Sequence, residues 1–115
     1  MIMRTWRGAV RAADADAYLE HQARTGIDDY RATPGNLGAL VLRRDLDELC
    51  EVVTVSFWES MDAVVGFAGD DPGRAKFYAG DDEFLVEKDL HVDHHEVFTS
   101  DIDAVLLALG PGGRG

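Results

Sequence analysis

The chain has 115 residues, 46% of them hydrophobic and 29% charged, which suits one domain with a hydrophobic core. The formal net charge of −11 argues against a nucleic-acid or anionic-membrane binder, since both classes need a basic surface. No apolar run approaches the ~18 residues of a membrane span. The first residues lack an apolar signal core, so we expect a cytoplasmic protein.

The first half of the chain predicts a strand, a helix and a hairpin. Residues 2–10 alternate loosely between apolar and polar side chains and predict a first strand. Apolar side chains then recur at helical spacing over 14–31, and a proline–glycine pair ends that helix. The hairpin comprises an apolar strand over 37–42, a polar connection over 43–47 and a long third strand over 48–58.

The second half predicts two helices around a fourth strand. Ser60 is a favourable N-cap for a helix over 60–68. Proline is favoured at the first helical position, so Asp71 and Pro72 predict a short helical turn that ends at 78. The remaining predicted elements are a turn over 83–88, a strand over 90–99 and a last helix over 102–109.

In chain order these elements read β-α-β-β-α-β, the split βαβ arrangement. We therefore expect an α+β, ferredoxin-like fold with a four-stranded antiparallel sheet. No internal repeat or linker divides the chain. The predicted organisation is one domain over 1–99, followed by a C-terminal helix and tail over 100–115.

Neither face of the predicted third strand has the polar side chains that a solvent-exposed face should carry. Its alternating sets are Val53, Val55 and Phe57 on one face and Val52, Thr54, Ser56 and Trp58 on the other. An antiparallel strand with one solvated face should be polar on that face. Two helices cover only one face of the sheet, so we expect the same face of a second subunit to cover the other. The last helix is the competing cover.

Several short segments follow one another in a characteristic order and spacing: MIMRTWRG (1–8), PGNLG (34–38), LRRD (42–45), FWESMDAV (57–64), FAG (67–69) and HHEV (94–97). Their order and spacing resemble the antibiotic biosynthesis monooxygenase family of dimeric α/β barrels. The resemblance covers residues 1 to 98 and leaves out the last helix. It implies a ferredoxin-like subunit, a barrel of two facing sheets, and a cavity in each subunit between sheet and helices.

The resemblance also implies a chemistry. Similar proteins oxidise aromatic polyketides or quinols without metal or flavin, and a tryptophan after the third strand lines their cavity. Trp58 matches that tryptophan, and Thr54 occupies a position four residues earlier where such members use an amide. In this reaction an electron-rich phenol or anthrone loses a proton, and its carbanion reacts with O2 in a site that excludes water.

Strand alternation supplies further candidates for the cavity. Ser56 shares a face with Trp58, and a hydroxyl there can accept a hydrogen bond from the indole N–H. Arg4 and Trp6 lie on one side of the first strand, where Arg4 either binds a phenolate or forms a surface ion pair. Tyr18 and Tyr30 on the first helix fit core packing first and cavity lining second.

His94 is the candidate base. It shares a strand face with Leu90, Val92 and Phe98 and is expected to point into an apolar layer. A histidine in such a layer is either a base near its reference pKa or a hydrogen-bonded core residue.

The other face of that strand carries His91, Asp93 and His95, which suggests a metal triad. Residues four apart on a strand lie about 13 Å from one another, which is too far for one ion to bind all three. A pair of these side chains with a further ligand from elsewhere in the chain or from a second subunit stays an alternative. We predict no metal, and the resemblance implies no cofactor.

A haem-degrading oxygenase of the same superfamily is a further alternative. Such proteins carry an asparagine in the first strand and a haem-ligating histidine about ten residues after the tryptophan. Here the chain's one asparagine is Asn36, and Ala68 stands at the histidine position.

Two hypotheses follow from the sequence. The first is a cofactor-independent monooxygenase of a small aromatic molecule, with Trp58, Thr54 and His94 as catalytic residues. Its substrate-binding residues would be Arg4, Trp6, Tyr18, Tyr30 and Ser56. The second is a dimeric barrel that binds a small ligand without turnover. Both predict a homodimer formed through the sheet face.

Overall fold

A computed structural model describes residues 1–109 as one antiparallel sheet with helices packed on one face. The element order confirms the predicted α+β, ferredoxin-like fold and includes the extra C-terminal helix. The predicted glycine-rich tail, 110–115, lies outside the described residues. The elements are β1 Ile2–Arg11, a 3-10 turn Ala12–Asp14, α1 Ala15–Gln22, a π-helical segment Ala23–Ile27, α2 Asp28–Ala32, β2 Asn36–Leu46, β3 Leu49–Trp58, α3 Met61–Ala68, α4 Asp81–Phe84, β4 Leu85–Lys88, β5 Asp93–Glu96 and α5 Asp103–Leu109.

The sheet has the strand order β2-β3-β1-β4, and β5 also pairs with β1. β1 pairs with β3 along its whole length, from Ile2 opposite Trp58 to Arg11 opposite Leu49. The predicted fourth strand is split in two. β4 pairs with residues 8–10 of β1, and β5 pairs with residues 2–5.

The split arises because residues 90–92 pair with the loop at 73–75 instead of with β1. The N–H of Ala75 donates to the carbonyl of Leu90 at 2.9 Å, and the N–H of Val92 donates to the carbonyl of Gly73 at 2.9 Å. The prediction of one strand over 90–99 is therefore wrong. The predicted helical turn to 78 ends early: the N–H of Arg74 donates to the carbonyl of Asp71 at 3.1 Å, and Arg74 then pairs with His91. Residues 83–88 contain the end of α4 and β4 instead of a turn.

The hairpin prediction is also wrong in its bounds. β2 continues to Leu46, so residues 43–46 belong to the strand. The arginines in this stretch keep strand geometry while they pair with acids, and Arg44 Nη2 lies 2.9 Å from Glu51 Oε1. The turn is made by Asp47 and Glu48, and the φ of 55° at Asp47 gives the left-handed conformation that tight hairpins need.

Two local predictions about the helices are confirmed. Ser60 caps α3, and its Oγ accepts a hydrogen bond from the N–H of Ala63 at 3.2 Å. The first helix spans the predicted residues, but a π-helical segment interrupts it around the buried Gly26. Such segments are frequent at functional sites because they widen the helix locally.

The two faces of β3 divide as the alternation predicts. Val52, Thr54, Ser56 and Trp58 are all buried beneath the helices. Val53, Val55 and Phe57 lie on the opposite face, where Val53 and Phe57 are half-buried and Val55 is 8% exposed. The C-terminal helix does not bury its own apolar residues, since Leu107 is 83% exposed. No helix within residues 1–109 is long and apolar enough to cross a membrane.

Candidate functional site

An open pocket lies between the sheet and the helices. Five of the predicted site residues line it. Strands β1 and β3 contribute Arg4, Trp6 and Thr54, and the helices contribute Tyr18 and Tyr30. The π-helical segment Ala23–Ile27 supplies part of the helical wall. The pocket is therefore aromatic on several sides and polar at the sheet.

Trp58 and Ser56 lie behind the pocket and do not line it. Trp58 is fully buried, and its indole Nε1–H donates to Ser56 Oγ at 2.9 Å, which is the hydroxyl two residues back on the same strand face. Its ring lies 5.3 Å from the ring of Phe67 and 5.9 Å from that of Tyr30. This tryptophan therefore supports the pocket wall from behind.

Arg4 places a buried cation in the pocket wall. The residue is 3% exposed, and its guanidinium donates to the carbonyls of Pro72 and Arg74 and contacts His94. Within residues 1–109 it forms no ion pair with a carboxylate, although the chain is strongly acidic. Burial lowers the pKa of Arg4. Buried charges are normally paired in proteins, so this guanidinium is available to an anion that enters the pocket.

His94 lies behind Arg4 and is not part of the pocket lining. It sits opposite Arg4 in the β1–β5 pairing, and its Nε2 is 3.1 Å from Arg4 Nη1. Burial, followed by the neighbouring Arg4 charge, lowers the pKa of His94. The expected apolar layer around it is wrong: Val92 is buried, but Leu90 is 53% and Phe98 97% exposed. Both fall outside β5, so they do not share a regular strand face with His94.

A polar group that the sequence did not single out contributes Lys76 and Tyr78 to the pocket lining. The Tyr78 hydroxyl donates to Asp29 Oδ2 at 2.5 Å, and Lys76 Nζ contacts the same oxygen at 2.8 Å. Burial alone would raise the pKa of Asp29, but the hydrogen bonds from Lys76 and Tyr78 outweigh it and lower that pKa. Burial, followed by the bond to Asp29, raises the pKa of Tyr78, which is therefore a neutral donor.

Tyr18 and Tyr30 are also neutral phenols. Burial raises the pKa of both hydroxyl groups above the usual value for tyrosine. They therefore contribute aromatic surface and a neutral hydroxyl to the pocket, and neither is a phenolate at neutral pH. An incoming anion meets no negative tyrosine in this wall.

Gln22 is the second residue that the sequence did not single out. It ends α1, is 8% exposed, and its Nε2 donates to Thr54 Oγ1 at 2.6 Å. The resemblance placed an amide at position 54, where this chain has threonine. The structure brings an amide to that position from Gln22. The helical spacing alone indicated only that this residue lies near the buried side of the helix.

A histidine–carboxylate pair closes one end of the pocket. His21 Nε2 lies 2.7 Å from Asp81 Oδ1, and Asp81 Oδ2 accepts the backbone N–H of Tyr78 at 2.8 Å. Asp81 lines the pocket, while His21 stands behind it. Across residues 1–109, no three His, Cys, Asp or Glu side chains, His91, Asp93 and His95 included, come together as a metal site.

No family model and no curated protein matches the sequence. Solved structures do match. A candidate antibiotic biosynthesis monooxygenase from Bacillus cereus is 21% identical, with a TM-score of 0.62 over 87% of this chain and 95% of that one. A second candidate of the same description, from Nitrosomonas europaea, is 11% identical, with a TM-score of 0.59 over 86% of this chain and 100% of that one. The chain has the antibiotic biosynthesis monooxygenase fold.

A protein with a different described activity shares this monooxygenase-like fold. The haem-degrader MhuD of Mycobacterium tuberculosis, solved with two haems in its active site, is 19% identical, with a TM-score of 0.57 over 88% of this chain and 99% of that one. In this chain α3 buries Val64 and Phe67 beside Trp58, and neither side chain ligates iron. The pocket residues therefore do not fit a haem held from α3.

Proposed function

We propose that this protein is a cofactor-independent monooxygenase that acts on a small aromatic molecule carrying an acidic phenol or anthrone. One observation carries the proposal: the buried guanidinium of Arg4 faces an aromatic pocket without a carboxylate partner among the described residues. A phenolate or enolate oxygen is the ligand group that such a cation stabilises. The fold shared with candidate antibiotic biosynthesis monooxygenases supports this assignment.

The chemistry uses only the substrate, O2 and protein groups. A base removes one proton from the CH2 carbon of an anthrone, and Arg4 stabilises the resulting enolate. That carbon bonds to O2, and the hydroperoxide formed loses its second C–H proton as the O–O bond breaks. One oxygen atom stays as a carbonyl and the other leaves as water. Anthrone and O2 thus give anthraquinone and water.

His94 is the proposed base. Its lowered pKa keeps the imidazole neutral and able to accept a proton. When a substrate oxygen accepts the hydrogen bond from Arg4 Nη1, His94 Nε2 loses that bond and becomes free to accept a proton. His94→Gln separates this role from positioning, because the glutamine oxygen can accept from Arg4 but cannot take a proton. We expect unchanged binding and a rate about a hundredfold lower; an unchanged rate contradicts the role.

The other predicted residues have supporting roles in this proposal. Trp6, Tyr18 and Tyr30 form the apolar slot that holds the ring and excludes water. Trp58 and Ser56 hold the slot in shape from behind through their hydrogen bond. Thr54 orients the substrate together with Gln22.

The proposal includes a homodimer formed through the open face of the sheet. Val53, Val55 and Phe57 lie on that face, and none of the described helices covers it with its apolar side chains. At one end of the same face Glu51 contacts both Arg7, at 2.7 Å, and Arg44, at 2.9 Å. An apolar centre with charged groups towards its edge is typical of subunit interfaces.

A second candidate function is ligand binding without turnover. The observation that favours it is the position of His94, which stands behind Arg4 and outside the pocket lining. A site in which His94 does not reach the bound ring would hold an anionic aromatic at Arg4 and release it unchanged.

O2 consumption with a panel of anthrones and hydroquinones tests the proposal, using protein treated with a chelator. We expect consumption above the uncatalysed rate for the wild type and for Arg11→Gln, a control on the same strand whose side chain is 66% exposed. Arg4→Gln should lower the rate to near background. Binding without consumption by the wild type would favour the second candidate and contradict oxygenation.

A further inference from the structure

The amide of Gln22 is buried at the pocket with half of its hydrogen-bonding capacity unused. Gln22 is 8% exposed and Thr54 is 3% exposed, and both line the pocket. The Nε2 of Gln22 donates to Thr54 Oγ1, while its Oε1 has no partner anywhere in residues 1–109. Buried polar atoms are nearly always paired, so an unpaired carbonyl oxygen at a pocket wall calls for a donor from outside the chain.

The local backbone places the buried amide of Gln22 in the pocket lining. Gln22 is the last residue of α1, and the π-helical segment Ala23–Ile27 begins at the next residue. Thr25, Gly26 and Ile27 of that segment also line the pocket. The hydrogen bond to Thr54 fixes the amide from the sheet side, so the amide plane is held between two elements and is set before a ligand arrives.

We infer that Gln22 determines ligand specificity by accepting a hydrogen bond from a second hydroxyl on the ligand ring. The ligand class is then a dihydroxyarene: one oxygen pairs as an anion with Arg4, and a separate hydroxyl donates to Gln22 Oε1. The inference rests on the proposed function for the oxygen that pairs with Arg4. It adds the hydroxyl that donates to Gln22. A ring without that hydroxyl leaves the amide oxygen unpaired, so it binds more weakly than a ring that supplies the donor.

This pairing gives the buried amide of Gln22 a role in the pocket. Two independent groups from opposite walls, a cation on β1 and an acceptor at the end of α1, fix the orientation of a flat ring. An apolar residue at position 22 would hold a ring without orienting it. The ligand would then lose its fixed direction towards Arg4 and His94.

Ligand binding under anaerobic conditions tests the inference without any turnover. Catechol, resorcinol and hydroquinone are each compared with phenol and with their own monomethyl ethers, by calorimetry on the full chain. We expect at least one diol to bind wild type about tenfold more tightly than phenol and its ether. Equal affinities in the wild type would overturn the inference and indicate that a water molecule satisfies Gln22.

Two variants test whether Gln22 causes the preference for the diol over phenol. Gln22→Met keeps the side-chain length without the amide, and we expect its preference for the diol to fall below about twofold while phenol binding is kept. Glu20→Met, on the exposed side of the same helix, should keep the wild-type preference. If Gln22→Met does not fold, the comparison of diols with phenol and the ethers on the wild type still tests the inference. Since O2 is excluded, loss of diol preference and loss of oxygenation are separate results.

Discussion

Arg4 and His94 face each other across the β1–β5 pairing, and Nη1 of the arginine lies 3.1 Å from Nε2 of the histidine. The arginine is always a donor, so the imidazole accepts through a neutral Nε2. Burial and the Arg4 charge both disfavour protonation of His94. The position of the pocket cation is therefore linked to the protonation state of the histidine beside it.

This link predicts a pH dependence of stability. The pKa of His94 is lower in the folded state than the ordinary value of 6.5, so below that value the unfolded chain binds a proton that the folded chain does not. Wild type should lose stability relative to His94→Gln as the pH falls from 6.5 towards the lowered pKa, and the two curves should run parallel above it. Melting temperatures measured across this range check the expectation. Parallel curves throughout would contradict it.

A second prediction concerns the anion preference of the pocket. We expect 4-nitrophenolate to bind about tenfold or more tightly than nitrobenzene, because a charge-assisted hydrogen bond to buried Arg4 favours the anion. Arg4→Gln should remove most of this difference, and Arg11→Gln should leave it unchanged. Fluorescence titration of the tryptophans measures both affinities. A neutral ring that binds as well as the anion would contradict the role of Arg4.

The third prediction concerns Trp58 and Ser56, whose hydrogen bond is buried. Ser56→Ala leaves the indole N–H unpaired and should cost about 1–3 kcal/mol of unfolding free energy. Trp58→Phe should cost a similar amount through the lost bond and the space left behind. The double variant should cost less than both single effects together, because the two changes remove one shared bond. Urea denaturation measures all three, and strict additivity would contradict the coupling.

The fourth prediction tests the open face of the sheet. Phe57→Asp places a charge in the apolar part of the proposed interface and should convert a dimer into a monomer of 12.6 kDa. Val65→Asp, on α3 and 41% exposed, is the matched control and should stay dimeric. Sedimentation at micromolar concentration distinguishes them. A wild type that sediments only as a monomer would contradict the interface.

Local signals in the sequence were sufficient for much of the fold. The alternation from Val52 to Trp58 predicted which face of β3 is buried, and Ser60 marked the start of α3. Both depend on neighbouring residues, so they can be read without knowledge of the tertiary structure. The positions of Arg4 and Thr54 in the pocket wall follow from the same alternation.

The features of the fold and of the site that the sequence did not predict depend on contacts between distant parts of the chain. The fourth strand is split because residues 90–92 pair with the loop at 73–75, which no local pattern records. The same loop carries Lys76 and Tyr78 to Asp29, nearly fifty residues away. The bond from Gln22 to Thr54 joins the end of a helix to the middle of a strand. Pairs of this kind are set by tertiary packing and have no signature in a single sequence.

The most direct test of the account is the fate of isotopically labelled dioxygen during oxidation of an anthrone by the chelator-treated protein. We predict that one labelled oxygen atom appears in the new carbonyl group, at a rate well above the uncatalysed reaction. Wild type and Arg11→Gln should show this incorporation, and Arg4→Gln should not. Incorporation no faster than without protein, or equal in Arg4→Gln and wild type, would contradict oxygenation in the pocket beside Arg4.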